Sequence, residues 1–399
     1  MTDTQINKPT ASGYRWVILA LATLSFLFTF ITRFSWPPLI PVVAPAFHFD
    51  AAQAGSFMSA FYFGYIITQL PAGVLVDRLG PRYILAIGLI LEGIMMYLMH
   101  SMTGYGMGFW LRFFMGLGAG ADMAAASRAL TEWFPIKERA IAWGILMAAP
   151  SFGLMLPNWI VPALNQSIGW QGVFEILGIA SILAGILVAA FVRTSPTSVR
   201  SSGSPFGGLK VVFTSKNLML LAFTGFSLMW AELGLAVWAN AYFTKMGFSL
   251  AAAGMVMVIY GVGGILAPLT SAFVARKLGK MRRLIMWSFI IQIPLTIIFG
   301  YLHSYAALCV MGFILGYVSY LVNSPLNVLI TDVAGKEWAA TAIGSTNFIF
   351  QIASMVAPLV LGWSIDASGG FSYIWFIIAA GSLAGLILIS NVKMEEAAF

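Results

Sequence analysis

The stretch that decides the fold is Ala60 to Arg82, AFYFGYIITQLPAGVLVDRLGPR. Apolar and small residues fill it as far as Val76, and then Asp77, Arg78, Gly80, Pro81 and Arg82 arrive together. A membrane-spanning helix leaves a bilayer in this way, because glycine and proline break the helix and arginines stay on the cytoplasmic side. Asp77 with Arg78 and Arg82 makes a tight polar turn suited to latching neighbouring helix ends.

The composition agrees. Of 399 residues, 60% are hydrophobic and 9% charged, with a mean hydropathy of +0.90. Soluble domains carry about a quarter charged residues, so the chain reads as an integral membrane protein. Cys309 is the sole cysteine and lies in an apolar run, which excludes a disulfide framework or a cysteine-based metal site. His48, His100 and His303 are scattered without metal-ligand spacing. The formal net charge is +7, but the basic residues gather at one set of loops, which argues against nucleic acid as a partner. Residues 1–13 are polar and the first apolar run is too long for a signal-peptide core, so no cleavable signal is expected.

A span needs about 20 apolar residues. Runs of that length recur twelve times: 15–46, 51–76, 82–101, 106–132, 138–164, 172–192, 218–243, 250–275, 283–302, 305–332, 338–366 and 371–391. Pro37, Pro38, Pro41 and Pro45 should kink the first. With a cytoplasmic N-terminus, Arg78, Arg82, Lys137, Arg139, Arg193, Arg276, Lys277, Arg282 and most other basic residues fall on the cytoplasmic side. The opposite loops hold Lys245, with Arg112 just inside the fourth span. This bias places both termini in the cytoplasm. Residues 194–216, rich in Ser, Pro and Gly, read as a cytoplasmic linker between bundles at 1–193 and 217–399. Ser271 to Lys280 stands where a second copy of the Asp77 turn belongs, without the aspartate. The expected fold is all-α, with two parallel six-helix repeats and a substrate site between them at mid-membrane.

The Gly73–Arg82 segment resembles the loop between the second and third helices of the major facilitator superfamily, G-x-L-x-D-R-x-G-R-[RK]. Gly73, Leu75, Asp77, Arg78 and Gly80 match, and Pro81 departs. Gly116 to Asp122, Arg128 and Glu132 to Ala140 (EWFPIKERA) resemble the anion:cation symporter branch and the related organophosphate:phosphate antiporters. So do Phe61 to Gly73, Gly169 to Phe174 and Pro358 to Asp366. The resemblance implies a multi-pass cell-membrane transporter, plasma or bacterial inner membrane, working by alternating access. It implies no cofactor and gating by Gly73, Asp77, Arg78, Gly80, Arg82 and Arg128. Arg128 alternatively orders the Glu132–Arg139 turn. The expected partners are a small organic anion, protons and the lipid bilayer, with the protein a monomer.

Buried charge in a bilayer is costly and marks candidate function. Arg33 presents a planar fork of donors suited to carboxylate or phosphate, and its place resembles that of the branch's helix-1 arginine. The alternative is an arginine reaching to headgroups or paired structurally. Asp122 can take up a proton when desolvated, or can neutralise Arg33. The branch's usual glutamate falls at Ala119, one turn away, so this chain departs there. Glu232 falls where the antiporters carry a second arginine; it suits a second protonation site, amine recognition or an interhelical hydrogen bond. Glu92 reads as a structural pair or an inert protonated carboxyl on a peripheral helix. Tyr65 with Gln69, Asn323 with Asn327 and Tyr320, and Asn347 with Gln351 share helix faces, for substrate or for interhelical bonding. Gly116–Gly120 and Gly261–Gly264 read as close helix packing.

The leading reading is a proton-coupled carrier of a small organic anion, a carboxylate or sugar acid. An exporter of amphipathic or cationic compounds is the alternative. A receptor on a carrier fold would carry a long tail, and an enzyme would need a catalytic constellation that no motif supplies.

Overall fold

The computed structural model describes residues 13–193 and 212–393, which places residues 194–211 of the expected linker outside the described residues. Among the described residues the protein is entirely helical. Eight helices are long and apolar enough to cross a membrane, or nine if the bent pair Ala51–Gln69 and Ala72–Leu79 is one span.

The helix breaks explain why this differs from the twelve runs expected. Gly169, at φ 72°, kinks the single segment Ala149–Phe191, so two runs are continuous there. The expected 106–132 run divides into Tyr105–Ala119 and Asp122–Trp133. The final helix, Ile374–Ser390, has only 17 residues. The 51–76 run bends by 60° at Leu70-Pro71, where proline cannot donate to the preceding turn. Gly80 then reverses the chain at φ 82°, a conformation that a side chain would strain.

Large apolar side chains cover the outside. Leu269 is 76% exposed, Trp363 67% and Val310 63%, a surface that belongs in lipid rather than water. Between helices, glycine sets the distance. A Cβ on Gly116 would stand 1.8 Å from the Phe61 carbonyl oxygen, and one on Gly64 2.1 Å from that of Phe113. The helices Ala51–Gln69 and Tyr105–Ala119 therefore touch backbone to backbone. Gly88 and Gly118 do the same reciprocally, at 2.5 and 2.7 Å, for the helices Pro81–Leu98 and Tyr105–Ala119.

Helices from the two halves of the chain meet at the end opposite the Arg78 turn. Cβ atoms on Gly55 and Gly362 would meet the carbonyls of Pro358 and Ala51 at 2.3 and 2.4 Å. Asp366 accepts the main-chain N–H groups of Ala51 and Ala52 at 2.8 and 2.7 Å. Deeper in, Asn240 donates to Asn158 at 2.8 Å, with both side chains buried. At the basic end, Arg128 pairs with Asp77 and Glu132, and Arg82 donates to the Ala189 carbonyl, all within residues 13–193. Arg282 there donates to the carbonyls of Ile389 and Ser390.

Candidate functional site

Helix Arg15–Phe34 ends where the sequence turns to Ser35-Trp36-Pro37-Pro38. Pro37 has no N–H to give the Arg33 carbonyl four residues before it. Arg112 supplies a donor instead: its Nη1 lies 3.0 Å from the Thr32 carbonyl and 3.4 Å from that of Arg33. Arg112 is fully buried, 5.5 Å over the Trp36 ring, and its Nε and Nη2 have no acceptor among the described residues. The sequence puts it just inside the fourth expected span, beside an outer loop. Its burial and the proline-orphaned carbonyl make it part of the site.

Arg33 is 4% exposed and makes no ion pair among the described residues. Four aromatic rings hold it instead. Its guanidinium lies 4.4 Å from the Phe30 ring centre, 5.0 Å from Phe61, 5.1 Å from Tyr62 and 5.0 Å from Tyr65. Cation–π contacts contribute about 0.5–2 kcal/mol each and do not neutralise its charge; the side chains of Tyr62 and Tyr65 also reach it as hydrogen-bond partners. Arg33 Nε has no acceptor among the described residues. A buried guanidinium in this condition is ready for an anionic ligand.

Asp122 opens the helix after the Gly120 break and is buried. It does not pair with Arg33. It takes Ser25 at 3.1 Å and Thr29 at 2.9 Å instead. Glu92, also buried, is hydrogen-bonded to the Thr32 hydroxyl at 2.6 Å and sits 3.0 Å from the same Thr29 hydroxyl. The peripheral helix thus brings its carboxyl to the same hydroxyls that hold Asp122. No motif announces this, because it depends on the Gly88–Gly118 approach.

Glu232 is buried on helix Lys216–Lys245, and Asn323 donates to it at 3.2 Å. It lies within electrostatic range of Tyr62, Tyr260 and Tyr320. Tyr62 is likewise within range of Arg33, and so of both charges. The Tyr260 hydroxyl and Ser354 Oγ are buried beside Ser319 and Tyr62 respectively. Tyr320 packs edge-on against Tyr260, with ring centres 6.0 Å apart.

The other expected residues separate into groups. Gln69 is half-buried with an unpartnered Oε1, one turn from Tyr65. Asn347 and Gln351 are half-buried and make no side-chain hydrogen bond among the described residues, while Asn327 is exposed. Asp77 meets Arg128 at 2.9 Å rather than Arg78, which is exposed. Arg128 also pairs with Glu132 at 2.5 Å, so it orders the turn that the WFP segment enters. A Cβ on Gly73 would meet nothing within 4 Å.

An all-helical bundle with a lipid-facing exterior and buried opposed charges defines a multi-pass membrane carrier. The sequence profile of the Major Facilitator Superfamily matches residues 19–358, and the chain belongs to that family. It is a transporter and not an enzyme. A probable sulfoacetate transporter of Cupriavidus necator, SauU, is 25% identical over 94% of each chain. The probable galactarate/D-glucarate transporter GudP of Bacillus subtilis is 24% identical, covering 86% of this chain and 85% of its own. A probable L-galactonate transporter of Escherichia coli is 26% identical, covering 85% and 82%. Among solved structures, the nucleoside transporter NupG superposes with a TM-score of 0.80 at 15% identity over 94% and 100% of the two chains. A bacterial homologue of the lysosomal transporter Spinster, inward-facing, gives 0.77 at 16% identity over 96% and 95%. These likenesses concern the fold.

Proposed function

We propose that this protein carries a small organic anion, a carboxylate or sugar acid, across the membrane together with protons. The unpaired, aromatic-caged Arg33 carries the reading, because a buried cation without a counter-ion is stabilised by an anionic ligand. Tyr65, Gln69, Tyr320, Asn323, Asn327, Asn347 and Gln351 supply hydroxyl and amide groups around the ligand. Asp122 and Glu232 take up the coupled protons. The names of the relatives, which concern sulfoacetate, glucarate and galactonate, support an acidic substrate.

Twelve spans in two six-helix halves, 1–193 and 217–399 joined by 194–216, with both termini cytoplasmic, would rock about this site. The contacts among Asp366, Ala51 and Ala52 join the two halves on the face opposite the basic loops, and in this reading they are the closed gate of that face. Gly73, Asp77, Arg78, Gly80, Arg82 and Arg128 would govern the reverse movement.

The experiment is uptake of sulfoacetate, D-glucarate and L-galactonate by proteoliposomes under an imposed pH gradient. Arg33→Lys keeps the charge and loses the fork. It should cut uptake about tenfold or more, corresponding to about 1.4 kcal/mol, with insertion unchanged. Uptake equal to wild type would remove bidentate anion recognition. Glu232 among tyrosines favours a second reading, export of a cationic compound. Amine binding lost in Glu232→Gln and kept in Arg33→Lys would select it.

A further inference from the structure

Thr29 Oγ1 stands 3.0 Å from Glu92 Oε1 and 2.9 Å from Asp122 Oδ2. A hydroxyl owns one proton and can donate only once. With both carboxyls ionised, one contact would set two oxygens together with no hydrogen between them. Thr32 repeats the problem: its Oγ1 lies 2.6 Å from Glu92 Oε2 and 3.0 Å from the Thr29 carbonyl. Ser25 supplies a proton to Asp122 Oδ1 alone. The three hydroxyls leave these contacts two hydrogens short. Protons on Glu92 Oε2 and Asp122 Oδ2 complete the set. Glu92 then donates to Thr32, Thr32 to the Thr29 carbonyl, Thr29 to Glu92 Oε1, and Asp122 to Thr29.

We propose that Glu92 and Asp122 form one proton-holding unit wired through the Thr29 hydroxyl, and that Glu92 is a coupling residue rather than a helix fastener. The inference rests on the proton-coupled reading above and extends it to a residue on a different helix.

Two observations outside the hydrogen bonds support it. The approach is built by the backbone: Gly88 and Gly118 each lie one turn from a carboxyl, at i+4, and a Cβ on Gly118 would sit 3.2 Å from Glu92 Cγ. Arg33, nine-tenths buried with an unpartnered Nε, follows Thr32 directly and is within electrostatic range of both carboxyls. Glu92's own helix carries Arg82, Tyr83 and Tyr97 besides, Asp122's carries Arg128 and Glu132, and Tyr62 stands in range of Arg33. Helix Arg15–Phe34 brings Arg33, and Tyr105–Ala119 brings Arg112, already bonded to the Thr32 carbonyl. Ala51–Gln69 brings Tyr65, within range of Asp122. The long helix Ala149–Phe191 has only Glu175, which pairs with His100 at 3.8 Å.

The wiring gives coupling its sign. An anion bound at Arg33 neutralises the charge that favours the ionised carboxyls, so anion binding makes protonation of the unit more favourable. By linkage, protonation favours the anion equally. Both then move in the same direction, which is symport. A proton arriving at Asp122 passes on without a free ion. When Glu92 is ionised, Asp122 gives its hydrogen to Thr29 Oγ1 as Thr29 gives its own to Glu92 Oε1, leaving Asp122 ionised and Glu92 neutral.

Infrared difference spectra of the reconstituted full chain, titrated with acid and base, read the unit without any substrate. In a Glu232→Gln background, which removes the other buried carboxyl assigned to protons, the bands should change in two coupled steps. Glu92→Gln should leave one step and move that of Asp122 by about 1 pH unit or more. Thr29→Val keeps both carboxyls and the side-chain shape, and should also move both steps; it decides the matter if Glu92→Gln does not insert. An Asp122 step unmoved in these variants overturns the unit. In proteoliposomes, Glu92→Gln should lose gradient-driven accumulation of whichever of the three acids wild type takes up, and keep counterflow. Normal accumulation overturns the coupling role. If wild type accumulates none of them under the gradient, proton symport fails while the infrared titration still decides the carboxyl pair.

Discussion

At the scale of the residue, charges inside apolar runs announce themselves, but their partners do not. Arg33, Asp122 and Glu232 are legible as candidates because each sits far from a span end. Phe30 shares Arg33's helix, but that Phe61, Tyr62 and Tyr65 of helix 51–69 also reach Arg33 depends on packing between segments distant in sequence, which no pattern encodes. Arg112 was missed because a basic residue near the start of a span usually reaches for headgroups. The missed signal was Pro37, four residues after a carbonyl that then needs another donor. Asp122→Asn keeps the size and an acceptor for Thr29 but cannot ionise. It should abolish pH-gradient-driven accumulation and preserve counterflow, which needs no net proton movement. Glu232→Gln should have the milder effect. Normal accumulation in Asp122→Asn with failure in Glu232→Gln would move coupling to the other half, and normal accumulation in both would remove proton symport.

At the scale of the element, hydropathy reads the apolar runs well and the breaks inside them poorly. A run is additive over its residues, whereas a break depends on one backbone angle. Gly169 and Gly120 are ordinary glycines in sequence. In the fold, one bends a continuous helix and the other precedes the new helix start at Asp122. Glycines read as packing residues were placed correctly at Gly116 and Gly120, which meet the carbonyls of Phe61 and Tyr65. Gly116→Ala should therefore act through the site as well as through stability. Its Cβ would meet backbone, which cannot swing aside. Overpacking of this kind costs about 1–3 kcal/mol. Forcing helix 51–69 outward would also draw Phe61 and Tyr65 from Arg33. Thermal unfolding in detergent should shift down by several degrees, with anion affinity reduced in parallel. An unchanged melting temperature would mean that the helices separate freely.

At the scale of the whole molecule, alternating access requires that one face be shut by contacts weak enough to release. Asp366 is suited to this. Its two oxygens accept the first N–H groups of helix 51–69, the end whose dipole favours an anion, and the carboxylate is solvent-exposed. Such an exposed interaction contributes about 0.3–1 kcal/mol. Asp366→Asn keeps one acceptor oxygen and loses the charge. The equilibrium should then move about two- to fivefold towards the state open on that face, the ratio that this free energy sets. Ser59 offers the reporter. It is 7% exposed and lies on the helix face between Gly55, which meets Pro358, and Tyr62 beside Arg33. In a Cys309→Ser background, Ser59→Cys should react with a membrane-impermeant maleimide added on the Asp366 side. Adding Asp366→Asn should speed that reaction about two- to fivefold, while the same reagent on the basic-loop side should react more slowly than before. A rate unchanged on both sides would mean that the glycine–carbonyl contacts at Gly55 and Gly362 close this face without Asp366. A faster rate on both sides would mean that the bundle has loosened rather than rocked.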